Sequence, residues 1–281
     1  MWSRRQFAAE AAAVAGGVTL LALQAKAQAP APGSALERVR RTQTLRVAAL
    51  PGEAPYFDKD ILTGKWSGMC VEMANDIASV LDAKIEYLES TYGNSVLDLQ
   101  ADKIDLAFAL NPTPKRALVI DFTSPFYLHG FGMVGKKGFT PTEWGMLDKP
   151  EVRIAVETGA SSELATRRFA GHAAITGYKM RDDCVLAVQS GRADCWTCAA
   201  NLGLTAVKKN PALGEFRMLH EPRVQLPVCI GARMEADDRW RDFLSAWIAY
   251  NRGIQQIREW LYIGLAINGV LREDVPADVE L

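Results

Sequence analysis

The chain has 281 residues, enough for one large domain or two smaller lobes with cores of their own. With 49% hydrophobic and 23% charged residues its composition is that of an ordinary globular protein. A formal net charge of −1 provides neither the basic field that a nucleic-acid partner requires nor an acidic tail, so no nucleic-acid partner is expected.

The N-terminus reads as an export signal. Ser3-Arg4-Arg5-Gln6-Phe7 precedes an Ala-rich apolar run from Ala11 to Leu23, and Ala25-Lys26-Ala27 has the small-x-small pattern of a cleavage site. The run is too short and too rich in alanine and glycine for a comfortable membrane span. The arginine pair fits a twin-arginine signal, although Glu10 is an unusual intrusion, and it fits an ordinary secretion signal as well. Residues 1–27 are therefore expected to be removed, leaving a periplasmic protein. Residues 28–43, rich in Pro and Ala and then basic, are expected to form a tether.

Strand and helix patterns alternate from there. Leu45–Leu50 is a β-type run, and Met69, Met73, Ile77, Val80 and Leu81 lie at helical spacing. Lys84–Leu88 alternates in polarity as a strand does, Val96–Leu99 begins a short helix, and Ile104–Leu110 is an apolar strand. A second unit of the same kind runs from the strand Val152–Val156, through a helix opening at Gly159 and another over Asp183–Gln189, to the strand Ala193–Thr197. Asp237–Ile267 reads as one long helical stretch, with Trp240, Phe243, Leu244, Trp247, Tyr250 and Ile254 as its core stripe. Alternation of this kind predicts an α/β sheet covered by helices.

The five cysteines (Cys70, Cys184, Cys195, Cys198 and Cys229) can pair outside the cytoplasm, and an odd number leaves at least one without a partner in the chain. Cys195-Trp-Thr-Cys198 resembles a redox pair only superficially. It falls on a predicted strand, where positions three apart point to opposite faces, and not at a helix N-terminus that would acidify a thiol. With no second pair of ligands nearby, no metal site is expected. The three histidines, His129, His172 and His220, are scattered and form no nucleophile or metal pattern.

Two strand-to-helix turns carry chemistry. After the strand ending near Asn111, Thr113-Pro114 is a helix start, with threonine as cap and proline at the first position. Arg116 then projects from the first turn, where the helix end is already partly positive, so an anion is needed to offset it. The anion is either a bound carboxylate, which a guanidinium grips bidentately, or a structural partner such as Asp121 or Glu72. Thr158-Gly159-Ala160-Ser161-Ser162-Glu163 is the second turn, whose small residues either admit a ligand to the backbone or cap a helix in the ordinary way. Neither turn is a nucleotide-phosphate loop.

Three passages resemble family 3 of the solute-binding proteins, the periplasmic polar amino-acid-binding type. They are Gly64-Lys-Trp-Ser-Gly-Met-Cys-Val-Glu-Met-Ala, Asp105 to Tyr127 with its Thr113-Pro-Lys-Arg116 and Asp121-Phe-Thr-Ser-Pro-Phe-Tyr, and Val152 to Glu163 followed by Ser190-Gly-Arg-Ala-Asp194. The resemblance runs from about Leu45 to the end. It implies a two-lobed α/β fold of periplasmic-binding-protein type II with two crossover strands, lobe 1 being residues 44–130 and 226–281 and lobe 2 residues 131–225. It further implies a monomer that holds a small molecule between its lobes for an ABC-type permease, with no cofactor. Arg116 would take the ligand's α-carboxylate, helped by Asn111, Thr113, Ala160 and Ser161.

Two departures bear on the ligand. Ala199 stands where the family's amino-acid binders have the aspartate that holds the α-amino group, and Glu53 stands where they have a stacking aromatic. Tyr56, Tyr92 and Trp196 can supply walls, and Glu53 is either a substitute amine partner or a solvated loop charge. The expected function is solute binding rather than catalysis. Its alternatives are a dehydratase-like enzyme using Glu53, or less readily Glu157 or Glu163, as a general acid or base, and a ligand sensor with a separate signalling partner.

Overall fold

The computed structural model describes residues 33–277 and residue 279, so the expected export signal lies outside the described residues. Helix α1 (Ala35–Thr42) opens the fold, capped by the Ser34 hydroxyl, which accepts from Glu37 N at 3.3 Å. This corrects the expectation of a tether through residue 43. Val39 and Ala35 are buried, and Arg38 pairs with the buried Asp105, so a basic run that reads as solvated is instead fastened to the core.

Strand β1 (Thr44–Ala49) leads through the short hairpin β2 (Asp58–Lys59) and β3 (Trp66–Ser67) to helix α2 (Met69–Val80). Met69, Met73 and Ile77 are buried as their spacing predicts, while Val80 is exposed at the end of the helix. Strand β4 (Lys84–Glu89), helix α3 (Tyr92–Gln100), strand β5 (Leu106–Leu110), the single turn α4 (Pro114–Ala117) and strand β6 (Ile120–Phe122) complete the first half. Strand β7 (Tyr127–Gly135) crosses into the second half. There α5 (Trp144–Leu147), β8 (Arg153–Glu157), α6 (Ser161–Phe169), β9 (Ala174–Tyr178), α7 (Arg181–Gln189), β10 (Cys195–Ala199), α8 (Ala200–Lys209) and β11 (Phe216–Met218) follow. Strand β12 (Gln225–Arg233) crosses back, and helices α9 (Arg239–Gly253) and α10 (Gln256–Ile267) close the chain.

The main sheet runs β4-β1-β5-β12-β7-β10-β8-β9. In the first half β1 is parallel to β4 and β5, and in the second β8 is parallel to β9 and β10. Helices cover both faces, and accordingly β5 and β10 are buried along their whole length. The halves meet where Gln225–Val228 pairs antiparallel with Tyr127–Gly130. Beyond that point β7 pairs with β10 and β12 with β5. Two crossover strands thus join the halves, as the resemblance implied.

Each half carries a buried aspartate just before or at the foot of a central strand, matched to cations. Asp105 pairs with Arg38 and with Arg46, at 2.8 Å from the latter, and Asp194 with Lys136 at 2.6 Å and Arg153 at 2.8 Å. The Arg153 and Lys136 hydrogen bonds hold the Asp194 carboxyl well below its ordinary range.

The C-terminal stretch departs from expectation in two ways. It is two helices, not one, and the break at Ile254-Gln255 puts Gln255 in the left-handed region (φ 64°). Folding α10 back stacks Trp260 on Trp247, with ring centroids 5.6 Å apart and planes at 8°. In a straight helix these residues would stand about 20 Å apart. Tyr250 and Ile254, on the outside of the bend, are exposed and not core. The tail beyond α10 also reaches the second half, where Lys208 of α8 pairs with Asp274 at 3.0 Å, so residues 226–281 do not all pack on the first. Among the described residues no helix is long and apolar enough to cross a membrane.

Candidate functional site

The site forms where β5 and β8 end. A bulge places one extra residue on β5 opposite Cys229 and Gly231 of β12, and Ala109 takes up the difference with a left-handed φ of 60°. For a residue with a Cβ this costs on the order of 1 kcal/mol, and such bulges re-aim the side chains that follow. Asn111, next but one, is buried and joins four elements. Its amide nitrogen donates to Pro227 O at 2.7 Å and lies 3.1 Å from His129 Nε2, and its oxygen accepts from Ser161 Oγ at 2.6 Å. His129, on β7, is pushed down to about 3 by burial, so the ring is neutral, with Nε2 facing the amide as acceptor.

The turn after Asn111 is built as its residue types predict. Thr113 caps α4, its hydroxyl accepting from Arg116 N at 3.4 Å, and Pro114 takes the first helical position. The Arg116 guanidinium donates to Asn111 O at 3.2 Å and to Gly159 O, in the second half, at 2.8 Å. Among the described residues it pairs with no carboxylate, neither Asp121 nor Glu72 among them. Burial disfavours its charge and lowers its pKa, with only Tyr92 nearby to oppose this. A half-buried cation with carbonyl partners alone is incompletely compensated.

Other contacts cross the same cleft. Ala54 O accepts from Arg181 Nη1 at 2.8 Å and from Thr205 Oγ1 at 2.9 Å, and Lys209 pairs with Asp58 at 3.2 Å. Arg181 is buried and stands 3.9 Å from the Glu53 carboxylate, which also accepts from the Tyr92 hydroxyl at 3.1 Å. Burial raises the Glu53 pKa against the pull of Arg181 and Tyr92. Glu157, the last residue of β8, is raised well above the ordinary range by burial and then by the Glu53 charge. Its carboxyl group has no hydrogen-bond partner among the described residues.

A small cavity, about 30 Å³ in this conformation, lies among these groups. Of the expected residues, Tyr56, Tyr92, Asn111, Arg116, Ala160, Ser161, Trp196 and Ala199 line it. Glu53 is one hydrogen bond removed, behind Tyr92, and is buried rather than a solvated loop charge. Thr113 stands outside the lining as the cap of α4. The lining adds His129, Phe131, Glu157 and Ser162, among others. Glu157 was weakly legible as a carboxylate at a strand end beside a small-residue turn; His129, on a crossover strand, gave no local signal. Glu163, the other acidic residue of that turn, is engaged by Gly159 N at 2.9 Å and Arg167 Nε at 3.0 Å and takes no part.

All five cysteines are buried and unpaired, and burial raises the thiols of Cys195 and Cys198, the opposite of the shift that activates a redox pair. Among the described residues no cluster of three His, Cys, Asp or Glu side chains is placed to hold a metal ion.

Residues 45–260 match the family model for bacterial extracellular solute-binding proteins, family 3. The chain belongs to that family. Among curated relatives of this family 3 protein, a probable amino-acid ABC transporter-binding protein from Haemophilus influenzae is 32% identical over 105 residues, 37% of this chain and 40% of that one. A cyclohexadienyl dehydratase from Pseudomonas aeruginosa is 28% identical over 152 residues, 52% of this chain and 56% of that one. The chain thus matches well under two thirds of the length of either relative. Among solved structures, an amino acid ABC transporter substrate-binding protein from Streptococcus pneumoniae bound to L-arginine superimposes with a TM-score of 0.76 at 18% identity, covering 83% of this chain and 98% of that one. That likeness establishes the type II binding-protein fold for the family 3 chain.

Proposed function

We propose that the protein captures a small carboxylate-bearing solute in the cleft cavity, outside the cytoplasm, and delivers it to an ABC-type importer. The observation that carries this reading is the Arg116 guanidinium, which reaches the cavity with carbonyl partners and no carboxylate. A carboxylate from the ligand supplies the missing charge, and the turn at Ala160-Ser161 adds polar groups beside it. Residues 44–130 and most of 226–281, with α1, act as one lobe and 131–225 as the other, and ligand contacts to both shift an open population toward a closed one. The amino-acid ABC transporter relative supports this role. Thermal-shift screening of refolded, ligand-free mature protein against amino acids, amine-free carboxylic acids and compatible solutes tests it. A carboxylate that raises the melting point in the wild type and not in Arg116→Ala supports the reading, and a shift that survives the substitution contradicts it.

A second reading rests on Glu157, a buried carboxyl in the cavity whose environment favours the protonated acid. Such a group can act as a general acid on a carboxylate substrate, and the dehydratase relative keeps this chemistry in view. Turnover of prephenate or arogenate by the pure protein, lost in Glu157→Gln, would establish it; no turnover leaves solute binding.

A further inference from the structure

We propose that Trp196 is a specificity-determining residue of the cleft, its indole N–H donating to a hydrogen-bond acceptor that the solute carries in addition to its carboxylate. This rests on the binding reading above and adds a requirement to it. The ligand is a short carboxylate with a hydroxyl, carbonyl or amide oxygen at its far end.

Trp196 stands on β10, a strand buried along its whole length, in register with Val134 of β7 on one side and Ala155 of β8 on the other. The residue is 1% exposed and lines the cavity. An indole nitrogen can only donate, and a buried tryptophan ordinarily finds an acceptor for it. Here no acceptor meets Nε1 among the described residues. Phenylalanine would pack in such a strand without stranding a donor, so packing alone gives no reason for the indole.

Position separates this donor from the other orphans of the molecule. Among the described residues, the unpartnered polar atoms of Tyr87, Trp144, Asn201, Arg217 and Asn268 belong to side chains outside the cavity lining, whereas Trp196 is part of it. Arg116 comes from the first half and Trp196 from the second, and the cavity they share is about 30 Å³. In so small a space, a solute held at Arg116 by its carboxylate turns its other end toward the indole. Ala109, Phe131 and Leu202 line the same cavity and bring no polar side-chain atom. An acceptor at the far end of the solute therefore takes the N–H, and a methyl group in its place leaves the donor unpaired in an apolar surround. The requirement is independent of any amine on the solute.

The test is isothermal calorimetry on refolded, ligand-free wild type, Trp196→Phe and Arg116→Ala. The probes are pairs of nearly the same shape that differ at the far end: serine and 2-aminobutyrate, asparagine and leucine, and their amine-free counterparts 3-hydroxypropionate and butyrate, succinamate and 4-methylpentanoate. In the wild type the acceptor-bearing member of at least one pair should bind on the order of 10-fold more tightly than its methyl partner. Trp196→Phe should erase that preference and leave the methyl member's affinity within about twofold of the wild type's. A second readout needs only the wild type under titration. The Trp196 indole N–H resonance, assigned by its absence from the variant's spectrum or by triple-resonance experiments, should move downfield when the acceptor-bearing probe binds. Equal binding within every pair, a preference for the methyl members, a preference that survives in folded Trp196→Phe, or an indole resonance that stays in place would each overturn the proposal. If any of these comes with affinity that is lost in Arg116→Ala, the carboxylate-binding reading stands and only the role of Trp196 falls. If none of the probes binds, both fall.

Discussion

Ser161 Oγ donates to Asn111 Oδ1 at 2.6 Å, tying the first residue of α6 to the end of β5 across the cleft. Asn111 in turn bonds Pro227 of one crossover strand and lies against His129 of the other, so the latch is anchored at the hinge itself. On the proposed closure of two lobes, its energy counts toward closure and not toward the folding of either half.

Ser161→Ala should therefore weaken solute binding roughly fivefold, the worth of about 1 kcal/mol for a buried neutral hydrogen bond, and leave the urea midpoint of the unliganded protein nearly unchanged. Calorimetric titration and chemical denaturation of the variant check the two halves of that statement.

Glu157→Gln should raise the thermal midpoint at pH 7.5 more than at pH 4. The folded-state pKa of Glu157 is raised, so the folded protein binds more protons than the unfolded chain above the ordinary glutamate range. Stability consequently falls as pH rises through that window, and the amide removes the loss. Thermal scans of both proteins between pH 4 and pH 8 measure it.

Asp194 behaves in the opposite sense. Its pKa is depressed by Arg153 and Lys136, so it contributes stability that is complete above the ordinary aspartate value and lost as pH falls below it. Asp194→Asn should be less stable than the wild type at pH 7, and the gap should narrow from about pH 5 downward, as followed by urea unfolding at each pH.

Trp260→Ala should cost about 3–5 kcal/mol in urea unfolding, because it removes a nearly buried indole stacked on Trp247 and leaves a cavity between α9 and α10. A cost under 1 kcal/mol would show that the fold-back of α10 does not depend on this pair.

Much of this was legible in the residues. The runs ending at Asn111 and before Thr158 had strand character, and Thr113-Pro114 announced a helix start that the structure contains. What could not be read was decided by partners distant in sequence. The bulge at Ala109 depends on its register with β12, and Arg38 reads as a solvated charge until Asp105, 67 residues on, is placed beside it. Helical periodicity runs unbroken through Ile254, and the turn there follows from the contact between Trp247 and Trp260. Glu157 looked no different from Glu163. One became a carboxyl in the cavity without a hydrogen-bond partner and the other was used up locally by Gly159 and Arg167, a distinction that only the turn's three-dimensional course makes.

The proposed grip of the Arg116 guanidinium on a ligand carboxylate inside this cleft is read from the affinity of one carboxylate solute for the wild type, Arg116→Ala and Arg116→Lys. Truncation to alanine should weaken binding on the order of 100-fold or more, and lysine, which keeps the charge and loses the fork, should recover only part of it. Wild-type affinity in a folded Arg116→Ala protein would mean that the carboxylate is held elsewhere or not at all.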